Sequence, residues 1–360
     1  MQEEDRLRGF KRHGLEIKGF NSNQTQAYSD CIFCGKENKF YINTSLLLWD
    51  CKVCGLKGNY LSFLEEINLQ NQSTIRAIDY IRLAQDRGLP VEAFKNWGFG
   101  KAGKNYTLPI LNAKSELHDL RNYILGKKLM SSPGCNVGLL GIEKIAKSSF
   151  SVPIYVCEGE WDCIALTWLV KILNTECVVV GTPGAGVFKR EWCTHFKDRE
   201  IIVLYDNDFA GENGDQLVKE RLTGCARSLK FIHWLSRFPE NWDIRDLIKT
   251  EAIKNKRPKL CFSLIRKMLN CTPRKGSRLL GEIELETEPV KINPDITFEK
   301  VYETFEKWMH KPNQNAIKIA ISCVVSNELK GDPVWMFLVA PPGGSKTEIL
   351  SAFDKCSNVF

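Results

Sequence analysis

Residues 153–166 read PIYVCEGEWDCIAL, and the alternation within this stretch decides the fold. The apolar run Ile154-Tyr155-Val156-Cys157 predicts a buried strand, Glu158-Gly159-Glu160 follow at its C-terminal end, and Asp162 opens a helical pattern. The same grammar recurs in residues 201–214, IIVLYDNDFAGENG, where a strand runs from Ile201 to Tyr205 and Asp206 and Asp208 stand at its tip. In residues 242–248, WDIRDLI, Asp243 and Asp246 make a third acidic cluster. Strands alternating with helical segments predict a parallel sheet, whose ligands bind outside the carboxyl ends of the strands. All three clusters therefore converge on one edge. Carboxylates gathered in one crevice repel one another unless a cation neutralises them, and hard oxygen ligands on short loops suit Mg²⁺ or Mn²⁺. The stretch thus predicts a divalent-metal site for phosphate chemistry.

At 360 residues the chain exceeds one ordinary core and is expected to hold two or three domains. Its 43% hydrophobic and 26% charged residues are those of a soluble globular protein. The net charge of +7 is unevenly spread. Residues 75–150 carry 12 lysines and arginines against 6 acids, whereas residues 151–250 carry 12 against 15. A basic region beside an acidic metal site suits a polyanion threaded between them, although a solvated basic face gives the same excess. The N-terminal MQEEDRLRGFKRHG lacks the apolar core of a signal peptide, and no run approaches the roughly 18 residues of a membrane span. The expectation is a cytoplasmic protein without a membrane partner, in which 14 cysteines serve metal or burial rather than disulfides.

Residues 31–55, CIFCGKENKFYINTSLLLWDCKVCG, supply that metal. Cys31 and Cys34 form one CxxC, Cys51 and Cys54 another, and the β-prone stretch from Phe40 to Trp49 predicts a hairpin presenting each pair on its own knuckle. Four thiolates at this spacing make a closed tetrahedral Zn²⁺ site of ribbon type. The lysines 36, 39, 52 and 57 and the aromatics Phe33, Phe40, Tyr41 and Trp49 either contact nucleic acid or, for the aromatics, fill the small core. Before the ribbon, residues 1–30 are polar and rich in Asn and Gln, and His13 is expected at the surface.

After the ribbon, NYLSFLEEINL and STIRAIDYIRLAQDRGL have helical spacing, the second stopped by Gly88 and Pro90. From Trp97 short strands and turns follow, and Arg121, Lys127 and Lys128 flank an apolar strand. These cations either line a groove for a template or nucleoside triphosphate, or are simply exposed. Between the first two acidic clusters, Cys177 to Val180 predicts a strand leading into the turn GTPGAG, whose glycines alone are a weak signal. Cys157, Cys163, Cys177, Cys193 and Cys225 lack paired spacing and read as small buried hydrophobes.

Residues 251–296 turn linker-like, with NKRPK, TPRKGSR and GEIELETEP, and a helical pattern returns over 297–329. Then DPVWMFLVAPPGGSKTEILSAF places an apolar strand before Gly343, Gly344, Ser345, Lys346 and Thr347 at the start of a helix. That is the layout of a phosphate-binding loop for ATP, although Ala340 and Ser345 stand where the usual pattern has glycine. The expectation is the opening of an incomplete ATPase domain over 297–360.

The order of four-cysteine ribbon, basic segment and acidic α/β domain resembles DnaG-type primases, and most closely the phage primase-helicases in which a P-loop motor follows. Over residues 31–248, CEGEWD is similar to the first motif of the Toprim domain of that family, YDNDFAG to its DxD motif and WDIRDLI to its last acidic motif. The resemblance implies a multidomain α/β chain: a zinc ribbon over 1–65, a mixed α+β basic primase subdomain over 66–150, a parallel-sheet Toprim domain over 151–250, a linker, and the start of a P-loop ATPase domain. It implies that Glu158 stands beside the reacting phosphate, as base or ligand, and that Asp206 and Asp208 are the main Mg²⁺ or Mn²⁺ ligands. Glu160, Asp162, Asp243 and Asp246 would support them, and Arg121 and Lys128 would belong to the catalytic groove. The implied reaction is synthesis of short RNA primers from nucleoside triphosphates on single-stranded DNA, in phage or mobile-element replication, with a helicase domain or other replisome proteins as partners. Two other functions share these parts. RecR-type repair proteins combine a four-cysteine zinc site with Toprim without catalysis, but join the two closely, unlike the roughly 100 residues here. Toprim nucleases and topoisomerases are the other, and no motif marks a topoisomerase tyrosine.

Overall fold

The computed structural model describes residues 6–269, 297–308 and 313–326, and the chain forms two units, 1–281 and 282–360. All three sheets belong to the first unit. The ribbon is an antiparallel meander of β1 (Ile17–Phe20), β2 (Gln26–Ser29), β3 (Phe40–Asn43), β4 (Trp49–Cys51) and β5 (Lys57–Gly58), hydrogen-bonded in sequence order. Strands β3 and β4 are the hairpin expected between the cysteine pairs, with Phe40 opposite Cys51 and Ile42 opposite Trp49. The polar composition of residues 1–30 hides two further strands and helix α1 (Arg8–Arg12). Leu7, Phe10, Leu15 and Ala27 are few but buried, because Phe40, Trp49 and Phe63 offer them an aromatic surface to cover. His13 is half-buried rather than at the surface, with Nε2 2.8 Å from Ser132 Oγ.

Helices α2 (Tyr60–Thr74), α3 (Ala77–Arg87) and α4 (Val91–Phe94) follow. Asn59 caps α2 by accepting the Ser62 N–H at 3.0 Å, and Gly88 ends α3 in the left-handed conformation at φ 64°. Next come β6 (Gly100–Ala102), β7 (Asn105–Leu111) and β8 (Leu117–Tyr123), an antiparallel sheet of short strands as the sequence predicts. Leu117 and Leu120 of β8 pack into the ribbon's own core together with Phe63, Leu64 and Ile67 of α2. The ribbon is thereby fused to the basic segment.

After α5 (Ile142–Lys147), the acidic stretch folds as β9 (Ile154–Cys157), α6 (Glu160–Ile172), β10 (Val178–Gly181), a 3₁₀ helix (Arg190–Phe196), β11 (Glu200–Leu204), α7 (Phe209–Leu222) and β12 (Ser228–Phe231). The strands are all parallel in the order β10-β9-β11-β12. Their residues are apolar on both faces because helices cover both. Tyr155, Cys157, Val179 and Ile202 face one core, with Leu166 and Leu169 of α6. Ile154, Val156, Val180 and Val203 alternate into the other, with Trp192, Phe196, Val218 and Leu222. The chain runs out to β10 and returns past β9 to β11, so the order reverses between β9 and β11. A crevice opens at such a switch point.

The segment from 251, linker-like by composition, differs from expectation as far as it is described. Helix α8 (Ile244–Leu247) continues into a π-helical turn (Ile248–Lys254) and then α9 (Pro258–Met268). Cys261, Leu264, Ile265 and Met268 recur every three or four residues and are buried against α6 and the sheet. The charges of NKRPK sit outside that apolar stripe. In the second unit, α10 (Phe298–Trp308) and α11 (Gln314–Ser326) bear out the helical pattern, packing Ile317 and Ala320 against Phe298, Tyr302 and Phe305. Gly343, Gly344, Ser345, Lys346 and Thr347 lie outside the described residues. Among the described residues no helix is long and apolar enough to cross a membrane.

Candidate active site

Strands β9 and β11 are neighbours in register, Cys157 beside Leu204. The residues leaving their C-terminal ends must therefore meet. The Asp206 N–H donates to Glu158 Oε2 at 3.1 Å, which fixes the direction of the Glu158 carboxylate. Asp208 caps α7, its Oδ1 accepting the Gly211 N–H at 2.7 Å. Gly211 is required there, since a Cβ would stand 2.3 Å from the Asp206 carbonyl oxygen. From the third motif, Asp243 caps α8 by accepting the Asp246 N–H at 2.6 Å, and its Oδ2 takes a second bond from Arg245 Nη2, also at 2.6 Å. Asp162, in the first turn of α6, accepts the main-chain N–H of Arg245 at 3.2 Å.

These five carboxylates are electrostatically one group. Burial pushes Asp206 up to about 9, with Asp162, Glu158, Asp243 and Asp208 adding to it. Burial and then Asp243 push Asp162 up to about 7. Glu158 is raised chiefly by burial, against the bond from the Asp206 amide and with help from Asp208 and Asp243. Asp206 Oδ1 is buried and has no hydrogen-bond partner. A buried, orphaned oxygen among like charges is the arrangement that a cation relieves, so the donor set fits a hard divalent ion. The oxygens are more widely spaced than the cysteine sulfurs: among the described residues, the four thiols are the one set whose ligand atoms all lie within 4.8 Å.

Of the remaining acids read from the sequence, Asp246 is held by Lys249 at 3.2 Å. Glu160 is buried and engaged by Arg121 at 2.8 Å, while Asp119 Oδ2 approaches the same guanidinium at 3.4 Å. Arg121 is thus buried rather than exposed, and it ties β8 to the first turn of α6. Lys127 and Lys128 are exposed in the turn after β8, apart from it. Two side chains of the crevice escaped sequence reasoning. Asp215, two turns into α7, is buried with an unpartnered Oδ1 and is raised well above its usual range by burial and then by Glu158 and Glu212. Its signal was the helical spacing of Asp208, Glu212 and Asp215. Arg245 lies within the third motif, but a cation there reads as an ordinary surface charge.

The ribbon closes as expected. Cys31 and Cys54 sulfurs are 3.9 Å apart and Cys34 and Cys51 sulfurs 3.8 Å. A Zn–S bond of about 2.3 Å at the tetrahedral angle gives about 3.8 Å between sulfurs, so the Cys₄ cluster fits a structural zinc. Gly35 and Gly55, at φ 71° and 76°, turn each knuckle. Phe40 and Trp49 stack at 5.1 Å and are buried, so these aromatics fill the core; Tyr41, beside Lys52, remains partly exposed.

The basic segment carries a groove. Two clefts of about 510 and 550 Å³ share Thr74, Lys101 and Gly103; Arg76, Arg82 and Lys104 border one and Arg12 and His13 the other. Asp79, buried beneath, is approached by Arg82 at 3.7 Å and Lys101 at 3.9 Å. One acid against five arginines and lysines leaves the groove positive.

No family model matches the chain. It is 27% identical over 183 residues to the uncharacterized protein MG010 of Mycoplasma genitalium, covering 46% of this chain and 78% of that protein. Among solved structures, it is similar to the zinc-binding and RNA polymerase domains of the Aquifex aeolicus primase, with TM-score 0.37 and 14% identity over 73% of this chain and 85% of that one. It is also similar to a DnaG primase catalytic domain bound to single-stranded DNA, with TM-score 0.43 and 16% identity over 56% and 80%. A third is the primase fragment of the bacteriophage T7 primase-helicase, with TM-score 0.37 and 16% identity over 64% and 96%. These three solved structures are primases or a primase fragment, the class of protein that the sequence motifs resemble.

Proposed function

We propose that this chain is a DNA primase, joining nucleoside triphosphates into short RNA primers on single-stranded DNA by metal-dependent nucleotidyl transfer. The observation that carries the reading is the meeting of Glu158 and Asp206 at the switch point of the parallel sheet, where Asp206 Oδ1 is buried without a hydrogen-bond partner. The positive groove and the Cys₄ ribbon in the same unit support a template partner, since grooves of this charge attract phosphates. The assignment of residues 1–65, 66–150 and 151–250 to ribbon, basic subdomain and Toprim domain belongs to this reading, as does a cytoplasmic place of action in phage or mobile-element replication. The glycine-rich loop at 343–347 supports attachment to an ATP-driven helicase domain.

Glu158, Asp206 and Asp208 would hold Mg²⁺ or Mn²⁺, with Asp162, Asp243 and Asp246 in support. When bound there, a divalent ion would supply charge neutralisation at the α-phosphate and would lower the proton affinity of an attacking 3'-hydroxyl. The chain's own residues do the positioning. The amide of Asp206 orients Glu158, capping holds Asp208 and Asp243 at helix starts, and the buried setting strengthens every charge interaction inside it.

Incubation with single-stranded DNA of varied sequence, labelled ribonucleotides and Mg²⁺ should yield short oligoribonucleotides. Asp206→Asn should abolish them, and its products persisting at the wild-type level would refute the metal assignment. Nicking of DNA without nucleotide incorporation would instead favour a nuclease.

A further inference from the structure

The turn joining β3 to β4 breaks a local rule. Asn43 Oδ1 accepts the N–H groups of Ser45 and Leu46 at 3.0 and 2.8 Å, and the Leu47 N–H closes the turn on the Asn43 carbonyl at 2.9 Å. Leu47 then takes φ 55°, a left-handed conformation that glycine or asparagine adopts with little strain and leucine does not. Leu47 packs partly against the ribbon's core, but Leu46 beside it is 68% exposed. Folding alone gives no reason for two leucines at such a turn, and backbone strain of this kind collects at ligand sites.

Both leucines line a cleft. It holds about 700 Å³ and is bounded by the turn, the segment leading into α1, the start of α2 and the loop 133–136. Tyr60, held against Phe10 with 5.0 Å between ring centroids, adds an aromatic face to the leucines. Arg6, Arg8 and His118 supply its basic groups. Arg6 and Arg8 are exposed and have no ion-pair partner among the described residues, and no carboxylate among those residues lines the cleft. Small-ligand pockets run to about 300–1,000 Å³ and combine an apolar lining with a few convergent polar groups. An apolar and aromatic wall together with two unpaired guanidinium groups fits a molecule with a flat base at one end and phosphate at the other.

We propose that this cleft is a nucleotide site separate from the acidic crevice, with which it shares no residue. It takes a nucleoside di- or triphosphate, the phosphates on Arg6 and Arg8 and the base against Leu46, Leu47 and Tyr60. The site is additional to the primase reading and stands without it. A nucleotide seated there touches the ribbon's turn and the loop after β8 at once.

Calorimetry tests it on the zinc-loaded full chain carrying Asp206→Asn and Lys346→Ala, substitutions that disable the crevice and the glycine-rich loop as nucleotide sites. Titrated with ADP or GDP in the absence of Mg²⁺, this parent is expected to bind one nucleotide per chain. Adding Arg6→Gln and Arg8→Gln should weaken binding by about tenfold or more, since charge-assisted contacts to phosphate carry affinity of that order. Leu46→Asn should weaken ADP several-fold, leave inorganic pyrophosphate unaffected and not lower Tm. No saturable binding by the parent, or binding unmoved by loss of both arginines, overturns the proposal. So does tighter binding of an unphosphorylated single-stranded oligonucleotide that displaces ADP, since the cleft would then be a stretch of template path. Zinc content and circular dichroism check the folding of each variant, and if the arginine variant unfolds the Leu46→Asn comparison of ADP with pyrophosphate decides.

Discussion

Asp206 concentrates the cost of the site in one side chain. Its carboxyl is held up to about 9 by burial and four acidic neighbours, so ionising it for metal binding works against the folded state. Asp206→Asn should raise metal-free stability in urea by on the order of 1 kcal/mol while removing ion binding. A drop in stability would show that the carboxylate is held by bonds the geometry does not contain. His13 offers a separate handle. Burial and then Arg12 lower it to about 4. A depressed folded pKa means the unfolded chain binds the proton more readily, so this contribution is complete above about 6.5 and is lost as pH falls toward 4. The loss should not exceed about 3 kcal/mol, and His13→Gln should flatten the pH dependence of Tm across that window relative to wild type. At this scale the sequence was most legible where chemistry and strand ends coincide: Asp206 and Asp208 follow a β-run directly. It was least legible for Arg245 and Asp215, whose importance comes from what other segments bring beside them. Glu160 belongs with these, since no pattern in CEGEWD says that Arg121, 39 residues earlier, will claim it.

Among the elements, the Arg121–Glu160 pair joins β8 to α6. Both side chains are buried, so removing one strands the other. Arg121→Met should cost about 3–5 kcal/mol in denaturant unfolding, and the double variant Arg121→Met/Glu160→Met should recover part of it, since the buried Asp119 still lacks its guanidinium. A double variant no better than the single would mean the pair is not the link between these elements. Element types were largely readable: the alternation of the 153–247 stretch fixed a parallel sheet, and the ribbon hairpin followed from its cysteine spacing. Helix α9 is hard to see because the exposed charges of NKRPK give its start the composition of a linker. The spacing of Cys261, Leu264, Ile265 and Met268 was present in the sequence beneath its lysines. Strands β1 and β2 are harder to see, since β1 pairs only with β2 and β2 in turn with β3, and IKGF and QAYS carry few apolar residues to mark a strand.

Across the first unit, the Cys₄ cluster and the acidic crevice share a scaffold. Zinc-bound ribbons draw much of their folding free energy from the metal. Cys51→Ser, or chelation, should release one Zn²⁺ per chain. Amide exchange should then rise in β3 and β4, and also in β8, whose Leu117 and Leu120 share the ribbon's core. Exchange confined to residues 31–55 would contradict that continuity.

That shared core has a further consequence on the primase reading. A ribbon welded to β8 cannot swing on a tether, so the span from the surface that meets the template to the crevice that extends the primer is set by the fold. The enzyme then works as a ruler of fixed length. The offset between the template bases it favours and the first nucleotide it places should stay constant when salt, temperature or template flexibility is varied.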